Sequence, residues 1–251
     1  MVNDSSPFDW DAERYAALPL PHVRWGLGVL ERLDLEGNER LLDLGCGTGR
    51  DAGAALATHP GLSVVGLDSS PAMLDSAREA LAPYAGRFEL GLADLREGFA
   101  VSAPVDAAMS VAALHWIPDH RPVFESAHAA LIPGGHFVAE CGGQGNIVRL
   151  QAALSRVIGA STDSPWDFED ASTTAALLRD TGFVDVHARL RPDPLHLTRE
   201  SLPSYLATVM LGKHLAGMSR NDGEALVTAV AAAMDEPVID YVRLEFEATR
   251  P

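Results

Sequence analysis

Residues 40–49 read Arg-Leu-Leu-Asp-Leu-Gly-Cys-Gly-Thr-Gly, and this stretch decides the fold. The apolar run over 40–44 ends at glycines, which predicts a short buried strand. Helical character follows over 49–58, so the glycines form the turn between a strand and a helix. Glycine lets the backbone of such a turn approach a ligand closely. The stretch therefore predicts a ligand-binding loop at the carboxyl end of a parallel strand.

Strands and helices alternate after this loop. Strands are predicted at 63–67, 87–92, 105–111 and 136–141, and helices at 71–81 and 121–131. This spacing is typical of βαβ units, and right-handed crossovers then give an open, doubly wound α/β sheet. Beyond residue 145 the pattern predicts helices at 146–158, 171–181, 200–216 and 221–234, and strands at 183–190 and 240–249.

Two classes of cofactor compete for a glycine-rich turn of this kind. The dinucleotide fingerprint G-x-G-x-x-G/A needs a small residue where Arg50 stands. The carboxylate of Asp43, beside the loop, would repel a pyrophosphate but suits a cationic ligand. S-adenosylmethionine carries a sulfonium and an ammonium group and no phosphate. The loop therefore favours S-adenosyl-L-methionine over a dinucleotide, with a purely structural turn as the alternative.

Two further acidic residues follow the next two strands. Asp68 ends the second strand, where a carboxylate can accept both ribose hydroxyls. Asp94 follows the third strand, where a carboxylate can accept from an adenine amino group. Either residue alone is typical of a solvated strand end or a helix cap. Together with Asp43 they make three acids at successive strand ends, and this set points to one cofactor site.

On these residues the sequence resembles the class I S-adenosylmethionine-dependent methyltransferases, over about residues 38–141. The pattern D-x-G-x-G-x-G lies at 43–49, and Pro133-Gly-Gly135 also stands where that family has it. The resemblance implies a Rossmann-like, seven-stranded, mostly parallel sheet with an antiparallel final strand. It also implies an N-terminal helical lid over 1–36, a cofactor-binding domain over 37–199 and 238–251, and a helical cap over 200–237.

The resemblance also implies the cofactor contacts. Asp43 and the glycines of the loop would lie near the methionine end of the cofactor, and later residues would border its adenosine part. The implied set is Asp43, Gly45, Gly47, Gly49, Asp68, Ser69, Met73, Asp94, Leu95 and Ser110. A narrower resemblance, to the trans-aconitate methyltransferase group, lies in residues 112–119. Residues 140–146 and 165–168 are similar to an uncharacterised branch of that group.

Candidate catalytic and substrate residues surround the same edge of the sheet. His115 follows the fourth strand, and its ordinary pKa near ~6.5 suits a general base; a pocket-shaping histidine is the alternative. The expected substrate contacts are His22, Trp25, Trp116, Gln144 and Asn146. Tyr15, His22 and Trp25 either close the site or form an amphipathic helix packed on the core.

Methyl transfer from a sulfonium needs alignment of the reacting atoms more than it needs a covalent intermediate. The leading hypothesis is a small-molecule methyltransferase that methylates a carboxylate or hydroxyl oxygen. Alternatives are a secondary-metabolite N- or C-methyltransferase, a cyclase or isomerase that uses the cofactor without methyl transfer, and a non-catalytic binding protein. Trans-aconitate itself is not expected, because Arg24, Arg121 and Arg149 are the only nearby cations for a polyacid.

Composition excludes other classes of function. The 251 residues carry 35 acidic and 19 basic side chains, a formal net charge of −16. Such a chain offers no global basic field for nucleic acid or for an anionic membrane. The sequence predicts no transmembrane segment, signal peptide or metal site. We therefore expect a cytoplasmic monomer or homodimer with a small-molecule partner.

Overall fold

The computed structural model describes residues 21–159 and 166–251. The described residues divide between two compact units. The first comprises Pro21–Gln144, Trp166–Arg191 and Arg243–Pro251, and the second comprises 145–159 and 192–242. Each unit is described by itself below.

The first unit is built on a seven-stranded sheet with the order β3-β2-β1-β4-β5-β9-β6. Its strands are β1 Arg40–Leu44, β2 Ser63–Asp68, β3 Phe88–Leu92, β4 Val105–Val111, β5 Leu131–Gly142, β6 Val184–Pro192 and β9 Val242–Thr249. Strands β1 to β5 pair in parallel, and β9 pairs antiparallel to β5. This order reverses direction between β1 and β4, which is where an open α/β sheet binds its ligand.

Helices connect the strands of the first unit. They are α1 His22–Leu33, α2 Arg50–Thr58, α3 Pro71–Ala80, α4 Arg121–Ala130 and α6 Ala171–Asp180. α3 begins with Pro71 after Ser70, whose hydroxyl accepts from the N–H of Met73. Such a cap and a proline at the first helical position together fix where a helix begins.

The core of the first unit lies between the sheet and its helices. β1 is buried along 41–44, and β4 is buried at six of its seven positions. Strands covered on both faces are mainly apolar, and Asp43 and Ser110 are the polar residues at the buried positions of these two strands. Phe124, Phe137 and Phe246 meet edge-to-face with centroids 5.1–6.0 Å apart in this core. This packed core therefore fixes the positions of β1 and β4 next to each other at the centre of the sheet.

The second unit contains α5 Val148–Ile158, β7 Leu195–His196, α7 Leu202–Tyr205, a π-helical turn Leu206–Met210, α8 Gly212–Leu215, α9 Arg220–Ala233 and β8 Val238–Ile239. β7 and β8 form a two-stranded antiparallel sheet. The hydroxyls of Tyr205 and Tyr241 lie 2.9 Å apart, and Tyr241 also donates to the sulfur of Met210 at 3.2 Å.

The predicted fold class is confirmed: the sheet has seven strands, mostly parallel, with an antiparallel final strand. Three details differ. β5 begins at Leu131 instead of 136, with a register shift against β4 between Val105 and Ala107. The predicted helix 200–216 is broken, because Leu211 leaves the helical conformation before Gly212. β7 and β8 were missed, since two-residue strands leave no periodic pattern. Residues 1–20 of the predicted lid lie outside the described residues, and the predicted domain boundaries stay a prediction.

Candidate functional site

The glycine-rich loop between β1 and α2 has a backbone that only glycine adopts easily. Gly45, Gly47 and Gly49 have φ of 76°, 54° and 77°, in the left-handed region that costs other residues strain. A Cβ on Gly45 would lie 2.3 Å from the Cβ of Ala113, whereas a Cβ on Gly47 would meet nothing within 4 Å. The loop therefore packs tightly on one side and faces open space at Gly47, where a ligand can approach the backbone.

The loop is tied to the end of β2. The N–H of Gly45 donates to the carbonyl of Leu67 at 2.8 Å. The N–H of Gly47 donates to Oδ2 of Asp68, and the N–H of Ser70 donates to Oδ1, both at 2.9 Å. Two backbone donors thus fix the orientation of the Asp68 carboxylate beside the loop. Asp68 thus lies beside the glycines at the end of the second strand, and its contact with the ribose hydroxyls stays a prediction.

Asp43 is the least satisfied acid of this region. Its side chain is 2% exposed, and Oδ2 has no hydrogen-bond partner among the residues that the structure describes. Burial, followed by the negative charge of Asp51 and then of Asp68, raises the pKa of Asp43 well above its ordinary range. A buried carboxyl oxygen without a partner is costly. A cationic ligand in the loop would supply the missing partner, so the acid fits the ammonium group of S-adenosylmethionine.

The acid expected at the adenine end is already engaged. Asp94 accepts from Nε of Arg96 at 2.9 Å and from Nη2 at 2.6 Å, and these hydrogen bonds lower its pKa. Leu95 beside it is buried, whereas Met73 is 45% exposed and Ser69 is exposed. An adenine amino group at Asp94 would therefore share the carboxylate with Arg96.

Ser110 lies in the core between β4 and β1. Its side chain is buried, and its hydroxyl donates to the carbonyl of Leu44 at 2.8 Å. That bond joins the fourth strand to the residue that precedes the loop. The hydroxyl of Ser110 therefore stabilises the strand pair next to the glycine loop. The predicted contact of Ser110 with the cofactor would involve other atoms of the residue.

His115 lies in a 3₁₀ turn after β4, against the end of β5. Its Nδ1 accepts a hydrogen bond from the N–H of Gly142 at 3.3 Å, and its carbonyl accepts from the N–H of Asp167 at 2.9 Å. A neutral imidazole that accepts at Nδ1 carries its proton on Nε2. In this tautomer neither ring nitrogen has a lone pair available to take a proton from a ligand. A general base would need the opposite tautomer, so that predicted role stays a prediction that this geometry does not favour.

Trp116 lies beside the rings of His115 and Trp166. It lies 5.2 Å from His115 and 6.1 Å from Trp166 between ring centroids, and Trp166 stacks with Phe168 at 6.2 Å. Sequence reasoning named Trp116 alone as a pocket wall. Residues 165–168 were noted only for their similarity to an uncharacterised branch of the trans-aconitate methyltransferase group. Their spacing in the sequence does not indicate a contact with residues 115 and 116.

His22 and Trp25 on α1 were predicted either to close the site or to pack on the core, and the structure favours packing on the core. Trp25 is 2% exposed, and the guanidinium of Arg243 lies 3.7 Å from its ring centroid. Burial lowers the pKa of His22 to about 4, aided by the charges of Arg50 and Arg243. Trp25 thus packs in the core, the alternative interpretation of the amphipathic helix, and His22 is neutral at pH 7. Tyr15 lies outside the described residues.

Gln144 and Asn146 do not share an environment. In the first unit Gln144 is exposed, and its backbone N–H donates to the carbonyl of Glu169 at 2.9 Å. In the second unit Asn146 is buried, and its Oδ1 accepts from the N–H of Val242 at 2.9 Å. The side-chain oxygen of Asn146 is thereby engaged in a hydrogen bond with the backbone, while the side chain of Gln144 stays a candidate for a substrate contact.

Sequence reasoning missed a buried ionic cluster on β5 and β9. Glu140 and Glu245 are opposite each other in the two strands and are both buried. Arg191 bonds both acids, at 3.1 and 2.5 Å, Arg243 bonds Glu140 at 3.3 Å, and Arg32 bonds Glu245 at 3.2 Å. These charges are far apart in sequence, so no local pattern reveals their pairing. The cluster neutralises two acids inside the sheet and does not reach the glycine loop.

A cavity of about 690 Å³ in the first unit lies apart from the glycine loop. Its lining includes Arg32, Arg179, Arg189, Glu245 and Glu247. None of the residues predicted from the sequence to form the site lines it. Within residues 21–159 and 166–251, no group of three or more His, Cys, Asp or Glu side chains could hold a metal ion. None of the described helices is long and apolar enough to cross a bilayer.

Comparison with known proteins agrees with the class of cofactor that the glycine loop and its acids favour. A protein family described as a methyltransferase domain matches residues 42–137. The chain is similar to the trans-aconitate 2-methyltransferase of Methylobacterium radiotolerans, with 34% identity over 158 residues, which is 63% of this chain and 57% of that protein. It is also similar to the trans-aconitate 2-methyltransferase of an Acidovorax species, with 30% identity over 80% of this chain and 77% of that protein.

Among solved structures, the fold is similar to that of the Haemonchus contortus phosphoethanolamine N-methyltransferase 2, which was solved with phosphomonomethylethanolamine and S-adenosylhomocysteine bound. The TM-score is 0.64 and the identity 22%, covering 91% of this chain and 52% of the other. At that identity the likeness concerns the fold.

Proposed function

Because this chain belongs to the class I S-adenosylmethionine-dependent methyltransferases, in the group that contains the trans-aconitate 2-methyltransferases, we propose that it methylates a carboxylate oxygen of a small molecule. S-adenosyl-L-methionine is its cofactor and supplies a methyl group on a positively charged sulfur. The proposal concerns the acceptor, and the observation that carries it is the hydrogen bond between the N–H of Gly142 and Nδ1 of His115.

The residues of the loop fit the cofactor. We assign the methionine end to Asp43 and to the backbone of Gly45, Gly47 and Gly49, since one oxygen of the buried acid has no partner among residues 21–159 and 166–251 and the loop is open at Gly47. The ribose hydroxyls are assigned to Asp68, whose carboxylate two backbone N–H groups already orient. Such prior orientation lowers the entropic cost of binding.

The remaining cofactor assignments are Ser69, Met73, Asp94, Leu95 and Ser110. The first four border the adenosine part, and Ser110 supports the loop through its bond with Leu44. The cost of bringing two reactants together in the correct orientation can account for about 7–11 kcal/mol of a barrier. We infer that the chief contribution of these residues is to hold the cofactor rigidly against the sheet.

The tautomer of His115 favours a carboxylate acceptor. A hydroxyl must lose its proton during methylation, which calls for a general base. A carboxylate is already ionised at pH 7 and needs none. With Nδ1 accepting from the N–H of Gly142 and the proton on Nε2, His115 has no lone pair left to take a proton from a hydroxyl. The chemistry of a carboxylate thus matches the side chain that this chain provides.

Two of the three arginines considered for a polyacid, Arg121 and Arg149, are paired with carboxylates. Arg121 bonds Asp180 at 3.0 Å in the first unit. In the second unit Arg149 forms an ion pair with Glu236. These pairs would have to break to hold the extra carboxylates of a tricarboxylate. We therefore do not extend the proposal to trans-aconitate itself.

Product analysis tests the proposal. The protein is incubated with methyl-deuterated cofactor and a panel of carboxylic acids, phenols and amines. We expect a methyl ester, which alkali hydrolyses, with stoichiometric release of S-adenosylhomocysteine. An alkali-stable ether or N-methyl product, or an isomer without added mass, would contradict the proposal and support the other hypotheses.

Variants of His115 test its role. His115→Gln keeps an acceptor for the N–H of Gly142 and should retain several-fold more activity than His115→Ala. Because no proton has to be removed, kcat should stay flat from about pH 7 to 9. A rate that rises with the titration of a histidine would instead identify a general base.

We also propose the predicted domain boundaries, a cytoplasmic location and a monomeric or homodimeric state.

A further inference from the structure

The cavity of about 690 Å³ in the first unit lies at the β6 edge of the sheet. Its walls come from the last turn of α1, from α6, and from β6 and β9. β6 is four strands away from β1 in the sheet, and neighbouring strands are ~4.8 Å apart, so about 19 Å separate the edge from the strand before the glycine loop. A volume of this size is typical of sites for small organic molecules. The cavity can therefore hold a small molecule that does not touch the cofactor.

One part of the lining is apolar. Ala171 and Ala188 are half-buried and pack against the core of the unit, and both line the cavity. Ala175, Val186 and Phe246 belong to that core and complete the apolar wall. Covering the exposed part of such a wall with an apolar group removes apolar surface from water, which is favourable. The lining therefore favours a ligand with an apolar body.

Another part of the lining is cationic, and it includes the exposed side chain of Arg179 on α6. Within the described residues, the Arg179 guanidinium makes one hydrogen bond, from Nη2 to the carbonyl oxygen of Val186 at 3.1 Å, and pairs with no carboxylate. This bond holds one end of the guanidinium at the backbone of β6 and leaves Nε and Nη1 as donors. Such a planar fork binds carboxylate and phosphate oxygens in pairs.

The two glutamates of the lining are already neutralised by arginines. Glu245 pairs with Arg32 at 3.2 Å, and accepts from Nε of Arg189 at 2.7 Å and from Nε of Arg191 at 2.5 Å. Glu247 lies 3.6 Å from Nε of Arg32. The side chain of Arg189 is 69% exposed, and neither of its Nη atoms donates to another described residue. In the described part of the unit, unused guanidinium donors thus outnumber unused carboxylate oxygens at this cavity.

We propose that this cavity is a ligand site separate from the cofactor site, and that it binds a small amphipathic anion, in which a carboxylate or phosphate group is attached to an apolar body. The anionic group accepts from Arg179 and Arg189, and the apolar body packs on Ala171 and Ala188. A local surplus of cationic donors is distinctive in a chain with a net charge of −16, which repels anions over most of its surface. The acceptor of the methyl group takes no part in this binding.

Calorimetry with the full-length protein, saturated with S-adenosylhomocysteine, tests the proposal. The probes are 1-naphthyl phosphate and 2-naphthoate, which carry the two kinds of anion on the same ring system. Inorganic phosphate lacks the apolar body, and 2-naphthalenemethanol lacks the charge. We expect 1-naphthyl phosphate to bind at one site per chain, about five-fold or more tighter than either of these two, because both parts of the lining then contribute. The ratio between the two naphthyl anions shows which oxyanion the site prefers.

Variants locate the binding at the cavity. Arg179→Gln and Arg189→Gln should each weaken 1-naphthyl phosphate about three- to ten-fold, because each loses a charged donor. Arg179→Lys keeps the charge but not the fork, and should lose less affinity than Arg179→Gln. Arg78→Gln is the matched control, since it removes the same charge from a side chain on α3 that is 59% exposed; it should change the affinity less than about two-fold. Calorimetric binding of S-adenosylhomocysteine should be the same in all four variants, which also reports on their folding.

Three results would overturn the site. The first is that neither naphthyl anion binds at concentrations up to about 5 mM. The second is that inorganic phosphate or the neutral alcohol binds as tightly as 1-naphthyl phosphate. The third is that Arg78→Gln weakens binding as much as the two cavity variants do, which would show a general effect of charge. If a glutamine variant loses S-adenosylhomocysteine binding, Arg179→Lys and Arg189→Lys decide instead, and wild-type affinity in both lysine variants would reject the guanidinium contacts.

Discussion

Replacing Asp43 by asparagine should stabilise the protein without cofactor and weaken cofactor binding at the same time. The carboxyl group is buried, has one oxygen without a hydrogen-bond partner among the described residues, and lies near the negative charges of Asp51 and Asp68. Each of these features disfavours the ionised form in the absence of a cation. A neutral amide of the same shape removes the charge and keeps the packing.

The size of both effects can be worked out from these contacts. Each unit by which burial raises a pKa corresponds to about 1.4 kcal/mol between the two protonation states, so removing the charge should raise the free energy of unfolding of Asp43→Asn by about 1–2 kcal/mol at pH 8. A hydrogen bond to a charged group contributes about 1.5–3 kcal/mol. Losing such a bond to the ammonium group should weaken S-adenosylhomocysteine about 10- to 100-fold.

The pH dependence has a defined sign. Asp43 has a raised pKa in the folded protein, above an unfolded value near ~3.9. Its contribution to stability is therefore complete below the unfolded pKa and is lost as pH rises through the folded pKa. Over the same window cofactor affinity should increase with pH, because the ionised acid binds the ammonium group. Asp43→Asn should abolish both slopes.

Urea unfolding at several pH values measures the first effect, and calorimetry with S-adenosylhomocysteine measures the second. Asp75→Asn is the matched control, since that carboxylate is 76% exposed and pairs with Arg78 on α3; it should stay within about 0.5 kcal/mol of wild type. The reasoning is refuted if Asp43→Asn lowers stability at pH 8, or if it binds S-adenosylhomocysteine as tightly as the wild type does.

Three other substitutions test the glycine loop, the hydrogen bond between Ser110 and Leu44, and the buried ionic cluster. Gly45→Ala should lower both stability and cofactor affinity, because the new Cβ would lie 2.3 Å from Ala113 at a φ of 76°; calorimetry showing normal affinity would contradict this. Ser110→Ala should cost about 1 kcal/mol of unfolding free energy by losing the bond to Leu44, while the affinity for S-adenosylhomocysteine changes less than about three-fold. Arg243→Ala should destabilise by about 3–5 kcal/mol, since it leaves a buried glutamate with one partner fewer; a loss below about 1 kcal/mol in urea unfolding would show that the remaining arginines compensate.

The cofactor-binding half of the site was the most predictable from sequence. Asp43, the loop glycines and Asp68 lie at the ends of two neighbouring parallel strands, and strand ends at one edge of a sheet are brought together by the topology alone. Local sequence also determined α3, through its cap at Ser70 and its proline at 71. These features depend on short-range patterns, which the sequence states directly.

The acceptor side was not predictable in the same way. The tautomer of His115 depends on the N–H of Gly142, and its ring neighbours include Phe168. Trp25 has the amphipathic spacing of a lid residue, but Arg243 covers its ring in the core. Nothing in the local pattern around any of these residues indicates its partner.

The sequence by itself thus determined the class of fold, the position of the glycine loop and the nature of the cofactor, because strand periodicity, glycine conformation and charge at strand ends are properties of neighbouring residues. Only the tertiary structure decided that Oδ2 of Asp43 has no hydrogen-bond partner in the part of the chain that the structure describes, that Asp94 pairs with Arg96, and that the rings of two segments meet at His115. Hydrogen bonds and ring contacts between distant residues depend on how the sheet packs, and no one-dimensional pattern encodes that packing.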